Sequence, residues 1–135
     1  MIVTIKERKV KYLSQTYEGK KHDKIICDEE QLTFPQGIVL NKDTAYQGYE
    51  PVDVITQQPK KKPRGGKLTR AEKNQNFIFS STRIVVEHVI SGIKRCRILK
   101  DVFRNTKDKF DDLVMVISCG LHNFRTECRA HFQLI

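Results

Sequence analysis

The stretch that most constrains the fold is RIVVEHVISGIKR, residues 83–95, in which one carboxylate stands among six β-branched apolar side chains. A capping box of Thr69 and Glu72 precedes it, and apolar residues return at helical spacing at positions 77, 84, 85, 89, 93 and 96. The pattern predicts a long helix carrying Glu87, with an expected break near residues 80–82, where serine and threonine side chains compete for backbone hydrogen bonds. Burying an unpaired carboxylate is costly, so Glu87 is paired, turned to solvent or bound to a cation.

The other elements predict a mixed α/β chain. Residues 1–5 and 9–17 alternate like two strands of an N-terminal hairpin, and residues 21–31 indicate a short helix. Residues 38–40 form an apolar run typical of a fully buried strand, residues 52–59 are consistent with a further strand, and residues 111–125 with a C-terminal helix. On that last helix we expect one apolar face, made of Leu113, Val114, Ile117, Leu121 and Phe124. A chain of 135 residues with 39% hydrophobic residues is expected to fold as a single domain, residues 1–135.

Positive charge is concentrated in the second half of the chain. Residues 1–55 carry 8 basic and 9 acidic side chains, whereas residues 56–135 carry 17 basic and 7 acidic ones, and the net charge is +9. Two runs are the densest in basic side chains: a basic loop at residues 59–67, and the segment at residues 94–100 just beyond the long helix. Such concentration favours a polyanion partner, with DNA the first candidate, although a solvated lysine-rich linker is the alternative. The candidate nucleic-acid-binding residues are Lys60, Lys61, Lys62, Arg64, Lys67, Lys94, Arg95 and Arg97.

A second carboxylate, Asp43, falls just past the apolar run at 38–40. Side chains at the carboxyl ends of strands in open α/β sheets point toward the crevice where ligands bind. If Asp43 and Glu87 converge, a divalent cation would offset their repulsion, and Mg²⁺ commonly takes one or two carboxylates together with phosphate oxygens. The alternatives are a turn or cap role for Asp43 and an ion pair between Glu87 and Arg83.

Two other candidate sites are weaker. Tyr46 and Tyr49, near Asp43, suggest stacking on bases, but a tyrosine in a loop after a strand is more often a lid on the core. Cys119, His122, Cys128 and His131 form a CxxH…CxxH arrangement that suggests zinc, but the two pairs point to opposite sides of one continuous helix. We therefore expect packing or surface roles for these four residues.

Several ordered segments resemble the DDE-type transposases of bacterial insertion sequences. They are YLSQTYEGKKHDK, LNKDTAYQGYEP, PKKKPRGGKLTRAEKNQNF, RIVVEHVISGIKRCRILKDVFRN and FDDLVMVISCGLHNFR, and together they span about residues 9–129. The resemblance implies an α/β fold of the ribonuclease-H-like type, here incomplete. It also implies an Asp-Asp-Glu triad holding two Mg²⁺ (or Mn²⁺) ions for attack on a phosphodiester. By motif, Asp43 corresponds to the second acid and Glu87 to the third, which makes them both the expected metal ligands and the expected catalytic residues.

The sequence departs from this family at the first acid. No aspartate precedes Asp23, and a residue opening a helix after Gly19 is expected to cap it rather than to replace the missing ligand. The resemblance therefore implies an N-terminally truncated endonuclease domain, impaired in catalysis. A homo-oligomer, or a separately encoded N-terminal transposase segment, is the expected protein partner.

Two functions follow from these observations. The first is metal-dependent DNA strand cleavage and transfer; the second is a non-catalytic nucleic-acid-binding remnant that uses the basic loop and helix. No apolar run approaches the length of a membrane span, so no membrane partner is expected. We expect a cytoplasmic, nucleoid-associated prokaryotic protein.

Overall fold

The computed structural model describes residues 1–17, 19 and 21–132, the last two without their side chains. The chain is α/β, and its elements follow in the order β1 (Ile2–Thr4), β2 (Lys9–Tyr12), α1 (Asp23–Glu30), β3 (Val39–Asn41), β4 (Ile55–Gln57), α2 (Arg70–Ile93) and α3 (Phe110–Phe132). Short 3₁₀ turns lie at Thr44–Tyr46 and Arg97–Leu99. This confirms the mixed α/β class and the order of elements, while the ribonuclease-H-like type stays a prediction.

The chain divides into two compact units. One contains residues 1–16 and 82–135, the other residues 17–81, so the division falls within α2. The prediction of one folding domain stays a prediction.

The first unit is built on the predicted hairpin. Strands β1 and β2 are antiparallel, with Val3 opposite Val10, and Arg8 takes a positive φ in the tight connection between them. The strands pack with helices α2 and α3 around a small core of Val10, Val89, Ile93 and Cys119. Because both strands are short, the core depends on the two helices more than on the sheet.

Hydrogen bonds between neighbouring residues cap the N-terminal ends of helices α2 and α1. Thr69 and Glu72 form the predicted capping box at the start of α2: the Thr69 backbone N–H donates to Glu72 Oε2 at 2.9 Å, and the Glu72 N–H donates to Thr69 Oγ1 at 3.3 Å. The N-cap of α1 is His22, whose Nδ1 accepts from the Lys24 N–H at 3.2 Å. The expectation that Asp23 caps this helix is therefore wrong, since Asp23 is already its first helical residue.

The expected break in α2 near residues 80–82 is also wrong. The helix is continuous, because Ser80 and Ser81 donate their hydroxyls to the carbonyls of Asn76 and Phe77, four residues earlier, at 2.9 and 3.3 Å. These bonds satisfy the hydroxyls without opening the backbone ladder.

The second unit contains a parallel pair of strands, β3 and β4, with Val39 opposite Ile55. The prediction of a fully buried strand is wrong: Val39 is 50% exposed and Ile55 is 64% exposed. An apolar run is buried on both faces only where helices cover both faces. Among the described residues β3 pairs with a single strand, and one face of the pair is left to solvent.

The predicted apolar face of α3 is wrong for four of its five residues. Val114 is buried, but Leu113, Ile117, Leu121 and Phe124 are each at least half exposed. The helix instead turns Val114, Ser118, Cys119 and His122 inward. No described helix has both the length and the hydropathy needed to cross a membrane.

Candidate nucleic-acid and metal site

Asp43 occupies the place that the sequence predicts, two residues beyond the end of β3. It caps the 3₁₀ turn at Thr44–Tyr46, and its Oδ1 accepts the Thr44 backbone N–H at 2.6 Å and the Thr44 hydroxyl at 3.3 Å. The carboxylate is half-buried. Asp43 therefore combines two features that the sequence predicts as alternatives. Its side chain caps a turn, and the residue lies at the carboxyl end of a parallel strand.

A buried lysine, which sequence reasoning missed, fastens the loop that carries Asp43. The Lys42 side chain is only 3% exposed, and its ammonium donates to the Tyr49 carbonyl and to Glu50 Oε1, the latter at 2.8 Å. Thr56 on β4 donates its hydroxyl to Glu50 Oε2 at 2.5 Å. Hydrogen bonds from Lys42 and Thr56 lower the pKa of Glu50. A lysine beside an aspartate carries no distinct sequence signal, because burial decides its role.

Two tyrosines complete this loop. Tyr49 is buried, and Tyr46 is half-buried, with its pKa raised by burial. Their packing fixes the backbone on which Asp43 stands and leaves Tyr49 no ring face open for stacking on a base.

The basic loop at 59–67 is irregular, as predicted, and is attached to the start of α2. The Lys60 N–H donates to Asn76 Oδ1 at 2.9 Å, and Asn76 Nδ2 donates to the Lys60 carbonyl at 3.0 Å. The Lys60 ammonium contacts Glu72 at 3.3 Å. Lys60 therefore has a structural role, and part of its charge is neutralised.

The remaining cations of this loop are exposed: Lys61, Lys62, Arg64 and Lys67. Lys61 donates to Gln47 Oε1 at 2.8 Å, which ties the basic loop to the loop carrying Asp43. Between the two loops lies a small pocket of about 70 Å³, lined by Thr44, Gln47, Gln58, Pro59 and Lys61. Within this unit the structure thus brings Asp43 and the basic loop together.

The third group of predicted residues lies in the other unit. Glu87 is on α2 and is exposed, which removes the cost of burying its charge. Lys94, Arg95 and Arg97 follow the end of α2 and are exposed as well. Convergence of Asp43 with Glu87 stays a prediction.

The candidate ligands suit Mg²⁺ or Mn²⁺ by their chemical type but not by their number. Carboxylate oxygens such as those of Asp43 and Glu87 are the ligands that Mg²⁺ and Mn²⁺ prefer. The described residues nevertheless contain no group of three His, Cys, Asp or Glu side chains able to hold a metal ion.

The Cys-His arrangement on α3 has packing roles where it is described. Cys119 is buried, and burial raises the pKa of its thiol. His122 is buried too, with Nε2 lying 3.0 Å from the Arg8 carbonyl. The side chain of His131 lies outside the described residues.

Comparison with known proteins identifies the family. The chain is 30% identical over 113 residues to a protein named probable transposase for insertion sequence element IS702, from Microchaete diplosiphon. That alignment covers 84% of this chain and 41% of the relative, so the chain spans well under half of the relative's length. No solved structure matches the chain. The family described as DDE superfamily endonuclease matches residues 1–123, a range that includes both Asp43 and Glu87. The chain belongs to the DDE superfamily endonucleases.

Proposed function

We propose that this chain is a DNA-binding endonuclease domain that takes part in metal-dependent cleavage and transfer of DNA strands. The observation that carries the proposal is the position of Asp43, at the carboxyl end of a parallel strand and joined to an exposed basic loop through Gln47 and Lys61. A carboxylate beside surplus positive charge suits a phosphodiester substrate, since the cations hold the backbone and the carboxylate holds a metal. Family membership and the name of the relative support DNA as that substrate.

In this proposal Asp43 and Glu87 hold Mg²⁺ or Mn²⁺. A bound divalent cation would polarise the phosphoryl oxygen and activate water or a 3′-hydroxyl. The chain's own contribution is positional. The Thr44 N–H fixes one oxygen of Asp43, and the buried Lys42 holds the surrounding loop closed, so that the carboxylate is preorganised.

The basic side chains would bind the DNA backbone. Lys61, Lys62, Arg64 and Lys67 form one group beside Asp43, and Lys94, Arg95 and Arg97 form the other beyond α2. Each phosphate contact releases condensed counterions, so binding of this kind weakens steeply as salt rises. Such a surface positions DNA without reading its sequence. A DNA-binding chain of this charge would associate with the nucleoid.

We further propose that catalysis by this chain alone is impaired. The family's triad has three carboxylates, whereas the described residues contain no group of three His, Cys, Asp or Glu side chains that could hold a metal ion. Asp23, the first aspartate of the sequence, begins α1. A separately encoded N-terminal transposase segment would supply the third carboxylate; its failure to co-purify when co-expressed would remove this part of the proposal.

The second candidate function is DNA binding without catalysis. The observation that favours it is the exposure of seven basic side chains in a chain whose described residues offer no three-ligand metal site. The two functions differ in their dependence on metal and on Glu87.

The test is incubation of the chain with supercoiled plasmid in Mg²⁺ or Mn²⁺, scoring nicking and gel retardation in the same reactions. Strand cleavage by the chain, or by the chain with its N-terminal partner, should need metal and disappear in Glu87→Gln. The exposed Asp101→Asn is the matched control and should cleave normally. Retardation without cleavage in any reaction, equal in both variants, would leave only the binding function.

DNA binding has its own control. The double variant Lys61→Gln with Lys62→Gln should weaken retardation and reduce the dependence of log K on log salt by about 2. The control is the double variant Lys21→Gln with Lys24→Gln, which removes two positive charges elsewhere. It should have little effect on DNA retardation, because these lysines already pair with Glu29 and Asp28. Equal losses in the two double variants would show that only net charge matters.

A further inference from the structure

The small pocket beside Asp43 contains groups that can recognise a base, whereas the cations of the basic loop can only hold the DNA backbone. The pocket lining includes two carboxamides, those of Gln47 and Gln58, together with Lys61, and all three side chains are exposed. Its volume of about 70 Å³ is far below the roughly 300–1,000 Å³ of sites that enclose a whole small molecule. The pocket therefore suits the edge of a larger substrate rather than a free ligand.

The two carboxamides differ in the hydrogen bonds they already make. Gln47 Oε1 accepts from the Lys61 ammonium at 2.8 Å, so its amide nitrogen is the group left to bind a substrate. The Gln58 carboxamide has no hydrogen-bond partner in the described part of the chain, so its oxygen and its nitrogen are both available. A side chain needs a free acceptor and a free donor to pair with two atoms of one base. Of the two glutamines, Gln58 meets this requirement.

The backbone that carries Gln58 is held on both sides. Before it, at the end of β4, the Gln57 carbonyl accepts the Lys42 backbone N–H at 2.8 Å. After it, Pro59 restricts Gln58 to extended conformations, and the residue following the proline is bonded to the Asn76 carboxamide at 2.9 and 3.0 Å. A side chain on a fixed backbone loses less conformational freedom when it binds.

We propose that Gln58 is a specificity-determining residue that reads one adenine of the bound DNA, an inference that rests on the proposed function. In the major groove adenine presents the N6 amino group as a donor and N7 as an acceptor, which match the oxygen and the nitrogen of a glutamine carboxamide. Guanine presents two acceptors there, so the Gln58 oxygen would face another acceptor. One such pair discriminates against the wrong base by about 5- to 150-fold.

The base that Gln58 reads lies close to the strand-cleavage site. The same pocket is lined by Thr44, the residue that follows Asp43, so an adenine edge at Gln58 adjoins the phosphate that Asp43 would serve. Lys61 lines the pocket as well and is free to hold the backbone next to that base through its remaining ammonium hydrogens. The cations thus set the position of the DNA, and Gln58 selects the sequence placed there.

The test is selection of a pool of random DNA duplexes by the full chain, in the presence of nonspecific competitor DNA, followed by sequencing of the retained duplexes. We expect adenine to be enriched about 5- to 150-fold at one position. In Gln58→Glu the preference should move to cytosine at that position, because a glutamate accepts a hydrogen bond from cytosine N4. Gln57→Glu is the matched control and should keep adenine, since it adds the same charge at an exposed residue outside the pocket lining.

Gln58→Ala separates recognition from charge. It should still retain duplexes but lose the preference at that one position. Retained duplexes without a preferred base, or a preference for adenine that survives Gln58→Glu, would overturn this inference and leave the proposed DNA binding intact. A preference lost equally in Gln57→Glu would also overturn it, because added charge alone would then explain the loss. Failure to retain any duplex at low salt would overturn the proposed function, and this inference with it.

Discussion

The Asn123 carboxamide closes both backbone hydrogen bonds of Val10. Asn123 Oδ1 accepts the Val10 N–H and Asn123 Nδ2 donates to the Val10 carbonyl, each at 2.8 Å. The Asn123 side chain thus bonds to Val10 in the way that the backbone of a neighbouring strand would. The edge of β2 is covered at Val10, and α3 is fixed in register against the hairpin.

Replacing Asn123 by leucine should destabilise the first unit by about 2–4 kcal/mol, because two buried backbone groups would lose their partners. Val10 is only 8% exposed, so water replaces these bonds poorly. Urea unfolding measures the loss. Asn74→Leu, at an exposed position on α2, is the matched control and should change stability by less than about 0.5 kcal/mol. Equal effects would show that the Asn123 bonds contribute nothing specific.

Patterns of neighbouring residues predicted where helices and strands lie better than they predicted which of their faces are buried. The capping box and the hairpin follow from residues that are neighbours in sequence, and the structure has both. The Asn123–Val10 bonds join residues 113 apart, and no local pattern marks them. The inward side of α3 was mispredicted because its buried positions include the polar Ser118 and His122, whereas the apolar periodicity marks the exposed side.

The same limit applies to the candidate site. The strand end predicted the location of Asp43, and composition predicted the exposed cations. The burial of Lys42 and the hydrogen bonds between Lys60 and Asn76 depend on tertiary contacts. Lysines with very different roles therefore could not be told apart from the sequence.

Gly92 should tolerate no side chain. A Cβ at this position would overlap the ring of His122, lying 2.7 Å from its Cε1. The ring cannot move away cheaply, since it is buried and contacts the Arg8 carbonyl. We expect Gly92→Ala to cost about 1–3 kcal/mol by overpacking, despite the better helix propensity of alanine. Thermal unfolding measures this cost, with Gly120→Ala on α3 as the control, because a Cβ there meets open space. A stabilised Gly92→Ala chain would contradict the predicted overlap.

Lys42→Met should loosen the loop that carries Asp43. The substitution keeps most of the side-chain volume but leaves the Tyr49 carbonyl without the ammonium, which should cost about 1–3 kcal/mol. Hydrogen exchange should speed up across residues 43–50 and stay unchanged in the hairpin. Lys11→Met, which removes an exposed lysine paired with Glu7, is the control and should leave exchange in this loop unaffected. Unchanged exchange in Lys42→Met would remove Lys42 from the support of Asp43.

The start of α2 should weaken in acid through Glu72. The backbone N–H of Thr69, the Thr69 side chain and Lys60 all donate to or face this carboxylate and lower its pKa below 4.5. A carboxyl whose pKa is lower in the folded state stabilises the fold above its unfolded pKa, and the contribution is lost as pH falls through the folded value. Helicity followed by circular dichroism should therefore decrease below about pH 4.5, and in Glu72→Gln this part of the decrease should be missing. Because many carboxylates titrate in this range, the difference between the two chains carries the result. Identical acid profiles would show that the ionised capping box adds nothing to the stability of α2.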